Sequence, residues 1–573
     1  MKPVRLPAAA TLALPRWALF ALGLLYILPG LIGRDPWKDD AGSFGIMWTM
    51  AHGSVGDWLL PNIAGLPGSG EGPLAFWLGA ACIKLFGWLV GDLMAARLST
   101  IGIFVGGALS LWYVTFHLGR RADAQPLRLA FGGQPEPDDY GRTLADTALL
   151  IYLGSLGLLL FSHETLAVTL QGALLSTFLY RAVRYVELPG MRNGALLGLV
   201  LGALTLTRGW ISPAVLAVVL FLCTQFLAMP TGRALRDIGV AALVAICVTL
   251  LWVVPAQLLQ PYHQAPVAAW LAWNAGQVGM PEWSAARSFL RVGIWFFWPA
   301  WPFAFWAVYA WRRQNRLLHI VLPLSFVVAM VGLILCNPGP ENGDLLKLLP
   351  PLAIMAAFGL PTMKRGAINA IDWFSVMVLT MIAGLIWLFW IAKLTGWPAQ
   401  LSKNALKLVP GFTPEFHPLA FVVALAASVG WIALVHWRLS RQPSVLWRAV
   451  VLSSGGLILL WVMLMTLFLP ELNYSKSYQS VALQIAARLP PQVGCIDSNV
   501  GPAQRASFAY YGQLPFARID SDKCDVLLLQ DSVKRRDDKE IDPAFRGKQW
   551  QLLWEGRRPS DRDERFRLYR RLR

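Results

Sequence analysis

The chain reads as an all-α polytopic membrane protein with a small α/β domain at its C-terminal end. Three observations predict this. Of 573 residues, 56% are hydrophobic and 14% charged, too little charge to cover a soluble protein of this length. Apolar stretches long enough to cross a hydrocarbon core of about 30 Å recur as far as residue 469. Short Lys/Arg clusters fall in alternate inter-span segments, as cytoplasmic loops require.

The first apolar run, 16–33, has no small-residue cleavage site and reads as a retained helix. Further runs at 98–118, 143–161, 165–181, 192–207, 211–230, 236–256, 291–311, 317–336, 347–362, 371–392, 418–437 and 449–469 bring the expected spans to about thirteen. The segment 73–89, PLAFWLGAACIKLFGWL, is short and carries Lys84. Orientation decides its place. With a cytoplasmic amino terminus and 73–89 lying as a shallow helix on the outer face, Arg120, Arg121, WRRQNR (311–316) and WRLSR (437–441) all fall inside. Residues 34–97, 257–290 and 337–346, the turn 162–164 and the tail from Pro470 then share the outer face. The expected domains are a membrane domain, 1–469, with its outer loop 34–97, and an extracytoplasmic α/β domain, 470–573.

That tail alternates a helical stretch, SYQSVALQIAARL, with the β-prone runs CDVLLLQ, QWQLLWEG and RFRLYRRLR. It holds Cys495 and Cys524, which an outside location permits to pair but which could equally be free thiols. The six cysteines show no metal-ligand spacing. A net charge of +17 suggests nucleic acid at first sight, but its placement fits basic inner loops against anionic headgroups, so membrane lipids are the expected partner.

Candidate chemistry gathers on the outer face. RDPWKDDAGSF (34–44) sets Asp39 and Asp40 just beyond the first span, on a Trp-, Gly- and Pro-rich stretch too apolar to be a loose connector. His163 and Glu164, in LLLFSHETLAVTL, occupy a tight turn between two apolar runs. Ser162 there resembles an N-cap, yet ionisable groups packed near membrane depth point to function. Arg97, Arg208 and Lys347 are lone outer cations, suited either to interfacial anchoring or to stabilising a departing phosphate. Asp138 and Asp139 fall inside among arginines and are assigned no role. Nucleotide-binding Gly-rich loops, HExxH and CxxC are absent.

The order of a first span, an acidic pair, GDWLLPNIAGLPGSGEGPLAFWLGA and a basic MAARL opening the next span resembles the GT-C glycosyltransferases of the aminoarabinose-transferase and protein O-mannosyltransferase superfamily. The resemblance extends over most of the membrane region, including the basic residue Arg208 and the KLLPPLA helix start, and weakens in the tail. It implies a GT-C fold in a bacterial inner membrane, an active site facing the periplasm, and sugar transfer from a polyprenyl-phosphate donor to an envelope acceptor such as lipid A. By position it implies Asp39 as the first-loop catalytic acid, Asp40 where Glu is usual, and the His163–Glu164 turn as the second acidic position. Where aminoarabinose transferases usually read Glu-Lys-Pro-Pro-Leu, this chain has Glu71, Gly72, Pro73 and Leu74, so the donor-facing Lys is missing.

Chemistry of this class needs a base for the acceptor hydroxyl and cations for the leaving phosphate. Asp39 is the expected base, with Asp40 setting its field and Glu164 closing the site from the second outer turn; Asp39 or Glu164 could instead hold a divalent cation, no other cofactor is expected, and the chain is expected to work as a monomer without nucleic acid. Protein O-glycosylation is the alternative acceptor chemistry. A lipid-linked-substrate transporter or flippase is the alternative from another class, though its inverted repeats and midplane charges are not visible.

Overall fold

The computed structural model describes residues 4, 6–11, 14–68, 70–128, 132–259, 266–314, 316–441, 445–491, 493–517, 524–532, 550–561 and 563–572. The chain begins with α1 (Arg16–Ile27), then lays down α2 (Lys38–His52), the single turn α3 (Val55–Leu59) and a two-residue hairpin of β1 (Asn62–Ile63) and β2 (Leu66–Pro67). Next come α4 (Leu74–Val90) and the 29-residue α5 (Asp92–Arg120). Arg97 and Arg120 stand about 35 Å apart along α5 at the helical rise, farther than a hydrocarbon core of about 30 Å.

The expected span 143–161 is interrupted: α6 (Pro137–Leu153) stops at Gly154 and α7 (Leu156–Phe161) restarts after Ser155. Then follow α8 (Ala167–Glu187), α9 (Met191–Arg208), α10 (Ile211–Phe226) and α11 (Thr231–Leu259). Glycines on one stripe of α9 explain how tightly α11 packs on it. A Cβ at Gly194 or Gly198 would sit 2.4 Å from the Asp237 or Ala241 carbonyl oxygen, and one at Gly202 would sit 2.7 Å from Val248 Cβ. This is the small-xxx-small packing of membrane helices.

The run 291–311 is likewise divided, into α13 (Trp283–Phe296), preceded by α12 (Pro266–Gly276), and α14 (Ala300–Ala310). After α15 (Leu318–Leu335), a 3-10 turn, Asn342–Leu348, leads into the wholly buried α16 (Leu349–Gly359). The remaining long helices are α17 (Arg365–Thr395), α19 (Pro418–Arg441) and α20 (Val445–Leu467), with the surface helix α18 (Ala399–Leu408) between the first two. Seven helical segments among the described residues are long and apolar enough to cross a membrane, and α1, α4 and α10 are shorter apolar helices. The protein is therefore a multi-pass, mostly helical membrane protein.

Past α20 come α21 (Leu469–Lys476), α22 (Gln479–Ala486) and a four-stranded mixed sheet built from β3 (Ile496–Ser498), β4 (Val526–Ser532), β5 (Trp550–Gly556) and β6 (Glu564–Arg571), in the order β3-β4-β6-β5. β3 is parallel to β4, the other pairs antiparallel. Cys495 and Cys524 form a disulfide at the heads of β3 and β4. Helix α23 (Pro502–Tyr511) lies on α2, so close that a Cβ on Gly45 would sit 2.4 Å from Ala506 Cβ. Arg505, buried in this contact, donates to the Ile63 and Ala64 carbonyls at 3.0 and 2.8 Å. Asn473 of α21 ties the loop before α2, donating to the Gly33 carbonyl at 2.8 Å and accepting from the Asp35 backbone N–H at 3.0 Å.

Candidate active site

Two charged clusters flank the start of α8. The first grows from 34–40. Trp37 is extended, α2 begins at Lys38, and its first turn carries Asp39 and Asp40, where the helix dipole favours carboxylates. Asp40 is buried and engaged on both oxygens. Its Oδ1 accepts from the Thr165 backbone N–H and hydroxyl, both at 2.7 Å. Its Oδ2 accepts from Arg34 Nη2 at 3.1 Å, with Arg97 Nη2 at 3.9 Å. Arg97, also buried, donates to the Leu31 carbonyl at 2.7 Å. Asp39 is exposed and makes no ion pair among the described residues.

Glu164, in the connection between α7 and α8, faces Arg34 at 3.7 Å and keeps 20% of its side chain accessible. Burial pushes its carboxyl pKa up to about 8; the charges of Asp40 and, more weakly, Asp39 add to the rise, and Arg34 opposes it. His163 has no exposure. Its Nε2 lies 2.8 Å from the Tyr26 carbonyl and its ring 4.5 Å from the Trp461 ring, and burial lowers its pKa to about 4. It pins the turn to α1 and α20. Ser162 closes α7, and the N-cap position of α8 is Leu166.

The second cluster centres on Arg208, the last residue of α9, which is buried. Its Nε stands 2.7 Å from Glu71 Oε1, Nη2 donates to Glu341 Oε2 at 3.0 Å, and Nη1 donates to Asp344 Oδ1 at 3.1 Å. Lys347 Nζ donates to the same Asp344 oxygen at 2.8 Å. Burial raises the Glu71 carboxyl, with Arg208 opposing. A small cleft of about 30 Å³ opens beside them, lined among others by Gln171, Arg208, Trp273, Asn274, Asp344 and Lys347. The three carboxylates differ in freedom: Asp344 is 2% exposed and Glu341 64%. At Gly72 the chain passes so near α9 that a Cβ would lie 2.1 Å from the Leu206 carbonyl oxygen. A lysine there is excluded by backbone contact.

The structure thus brings Asp39, Asp40, Glu164, His163 and Arg97 into one neighbourhood and Glu71, Arg208 and Lys347 into another, with α8 between. Sequence reasoning passed over Arg34, Thr165 and Asp344. Arg34 opens the acidic stretch itself and Asp344 stands three residues before Lys347, so local signals existed for both. Among the described residues no group of three His, Cys, Asp or Glu is placed to hold a metal ion; Glu164 faces Arg34, and the carboxylates around Arg208 are taken by that guanidinium. This donor set does not fit a resident divalent cation.

Fold and site together define a multi-pass membrane protein with one buried charged cluster built on Asp40, Arg34 and Arg97 and another on Arg208 and Asp344. The solved structure of ArnT from Cupriavidus metallidurans bound to undecaprenyl phosphate is similar over 96% of this chain and 97% of that one, with a TM-score of 0.65 and 15% identity. Its apo form aligns over the same shares with a TM-score of 0.59 and the same identity. The chain shares the fold of these ArnT structures. No family model matches the sequence, and no curated protein matches it.

Proposed function

We propose that this chain is a glycosyltransferase that moves a sugar from a polyprenyl-phosphate donor to a hydroxyl of lipid A, lipopolysaccharide or another envelope acceptor, on the periplasmic face of a bacterial inner membrane. The observation that carries this reading is Glu164: a partly accessible carboxylate with proton affinity near neutrality, beside an arginine-clamped Asp40 and across the start of α8 from a cation-bearing cleft. Support for the donor comes from the shared fold with an ArnT that binds undecaprenyl phosphate.

In the proposed reaction the acceptor oxygen bonds to the sugar's anomeric carbon, the bond from that carbon to the donor phosphate oxygen breaks, and the acceptor proton passes to Glu164. Polyprenyl phosphate leaves with the bonding electrons. Asp39 is the accessible partner that orients the acceptor, and Asp40 is the fixed charge that, with Arg34 and Arg97, holds the turn. A residue whose proton affinity lies near the working pH suits a general base better than one already engaged on both oxygens. Arg208 and Lys347 are the proposed phosphate partners. The donor phosphate takes the place of the exposed Glu341 at Arg208, while Asp344 stays.

The same reading has about thirteen spans, a boundary near residue 470, and Asp39, Glu341 and the C-terminal sheet outside with Arg120 and Arg313 inside, in keeping with the Lys/Arg bias. Impermeant labelling of single cysteines reads that orientation, and outer labelling at position 313 reverses it. The activity test is sugar transfer from a synthetic polyprenyl-phosphate sugar by reconstituted protein, with mass spectrometry of envelope lipids from cells with and without the gene. An unchanged lipid and glycan profile, with no transfer in vitro, refutes the proposal.

A further inference from the structure

Away from both clusters, the C-terminal half of α17, the surface helix α18 and the end of α20 enclose a groove of about 300 Å³. Its walls are almost wholly apolar, supplied by Leu385, Ile386, Phe389, Leu406, Val409 and Leu464. A buried ion pair borders it. Lys393 donates to the Leu467 carbonyl at 3.0 Å and to Glu471, and sits 4.5 Å over the Phe468 ring. A second, much smaller cleft of about 10 Å³, bordered by Glu415, His417 and Pro470, shares Lys393, Phe412 and Glu471 with the groove. The ion pair therefore stands where the apolar groove meets a smaller cleft that also holds Glu415 and His417.

Glu471 is only 9% exposed. One carboxylate oxygen, Oε1, takes Lys393; the other, Oε2, is buried and accepts no hydrogen bond among the described residues. A buried carboxylate oxygen without a donor is costly, and it lies on the lining of a space that a hydrocarbon chain would fill. Helix α18 adds Lys403 and Lys407, both exposed, on an amphipathic surface helix suited to the headgroup layer.

We infer that this groove binds a zwitterionic phospholipid with a primary-ammonium headgroup. The acyl chain occupies the apolar groove, the ammonium donates to Glu471 Oε2, and the lysines of α18 attend the phosphate. An acidic lipid such as phosphatidylglycerol, or a polyprenyl phosphate, brings no cation to the free carboxylate oxygen and would meet it with like charge. A quaternary ammonium has no N–H to give. Because α21 carries both Glu471 and Asn473, whose amide grips the Gly33–Asp35 loop ahead of Arg34, the bound lipid braces that loop from outside the site.

Lipid binding to the detergent-purified full chain, counted by native mass spectrometry, tests this without reference to transferase activity. The probes are dioleoyl phosphatidylethanolamine, its N-trimethylated analogue phosphatidylcholine, and phosphatidylglycerol. Wild type is expected to hold the ethanolamine lipid about tenfold more tightly than the choline lipid, the scale of one hydrogen bond to a charged group. Glu471→Gln is expected to erase that preference. Leu385→Trp, which fills the lipid-facing groove without touching the ion pair, is expected to lose the tightly bound lipid altogether. Equal retention of the ethanolamine and choline lipids by wild type, stronger retention of phosphatidylglycerol, or undiminished binding by Leu385→Trp would each overturn the inference.

Discussion

Replacing Glu164 by Gln should abolish transfer while making the protein more tolerant of alkali. Both effects come from one carboxyl. Its pKa is raised from 4.5 to about 8, chiefly by burial and then by the neighbouring Asp40. At pH 7 only about a tenth of it is ionised, so wild-type kcat/KM should climb about tenfold per pH unit and level off above pH 8. The Gln variant has no such base and should lose roughly 10²–10⁴ in kcat/KM, with a flat profile. Stability runs the other way. A carboxyl whose folded pKa is raised contributes stability that is fully present below its unfolded value and lost as pH rises through the folded one. Between pH 6 and 8 the wild type should therefore lose about 2 kcal/mol that Glu164→Gln keeps. Asp39→Asn removes a charge that helps to raise Glu164, so it should move the midpoint of the rate profile to lower pH. The assay is transfer from a polyprenyl-phosphate sugar between pH 6 and 9, alongside thermal unfolding of the same preparations. A Glu164→Gln enzyme within a few-fold of wild type, or a wild-type rate indifferent to pH in this window, refutes the base assignment.

Neutralising the phosphate partners, as Arg208→Gln or Lys347→Gln, should lower kcat by roughly 10²-fold; steady-state kinetics that leave kcat unchanged in both would return them to a structural role in the carboxylate cluster. Gly72→Ala places a Cβ 2.1 Å from the Leu206 carbonyl oxygen, so α4 and α9 must part and Glu71 must leave Arg208; about 1–3 kcal/mol of stability should be lost, seen as a lower unfolding temperature together with a raised KM for donor. Reducing Cys495–Cys524, which closes a separation of 29 residues, should cost the C-terminal sheet about 3–4 kcal/mol on the chain-entropy account, read as faster proteolysis within 470–573 while the membrane helices stay protected.

How far the sequence reveals this site depends on what kind of contact each residue makes. The long helices and β4, β5 and β6 of the tail are legible because apolar run length and apolar or aromatic β-prone runs are local properties, whereas β3, three residues long, carries too little pattern of its own. The turn at His163 and Glu164 is legible for the same reason, as two polar residues between two apolar runs. Which of two neighbouring aspartates is buried is not local. Adjacent residues on a helix diverge by about 100°, and the direction that faces inward in α2 is set by α4, α23 and the connection before α8, far away in the chain. Thr165, which takes one oxygen of Asp40, is 125 residues distant, and the Arg208–Asp344 pair spans 136. The missing lysine at position 72 shows the reverse: as a sequence feature it is a departure from a motif, but in space it is the only residue that the close approach to α9 permits. Burial also redistributes the chemistry. Asp40, one of the two residues that drew attention as a pair, spends both oxygens holding the Arg34–Thr165 junction together, and that junction presses Glu164 against a fixed negative charge in a poorly solvated turn. Glu164, whose one ion-pair partner is Arg34, is thereby left with the raised proton affinity on which its proposed role as base rests.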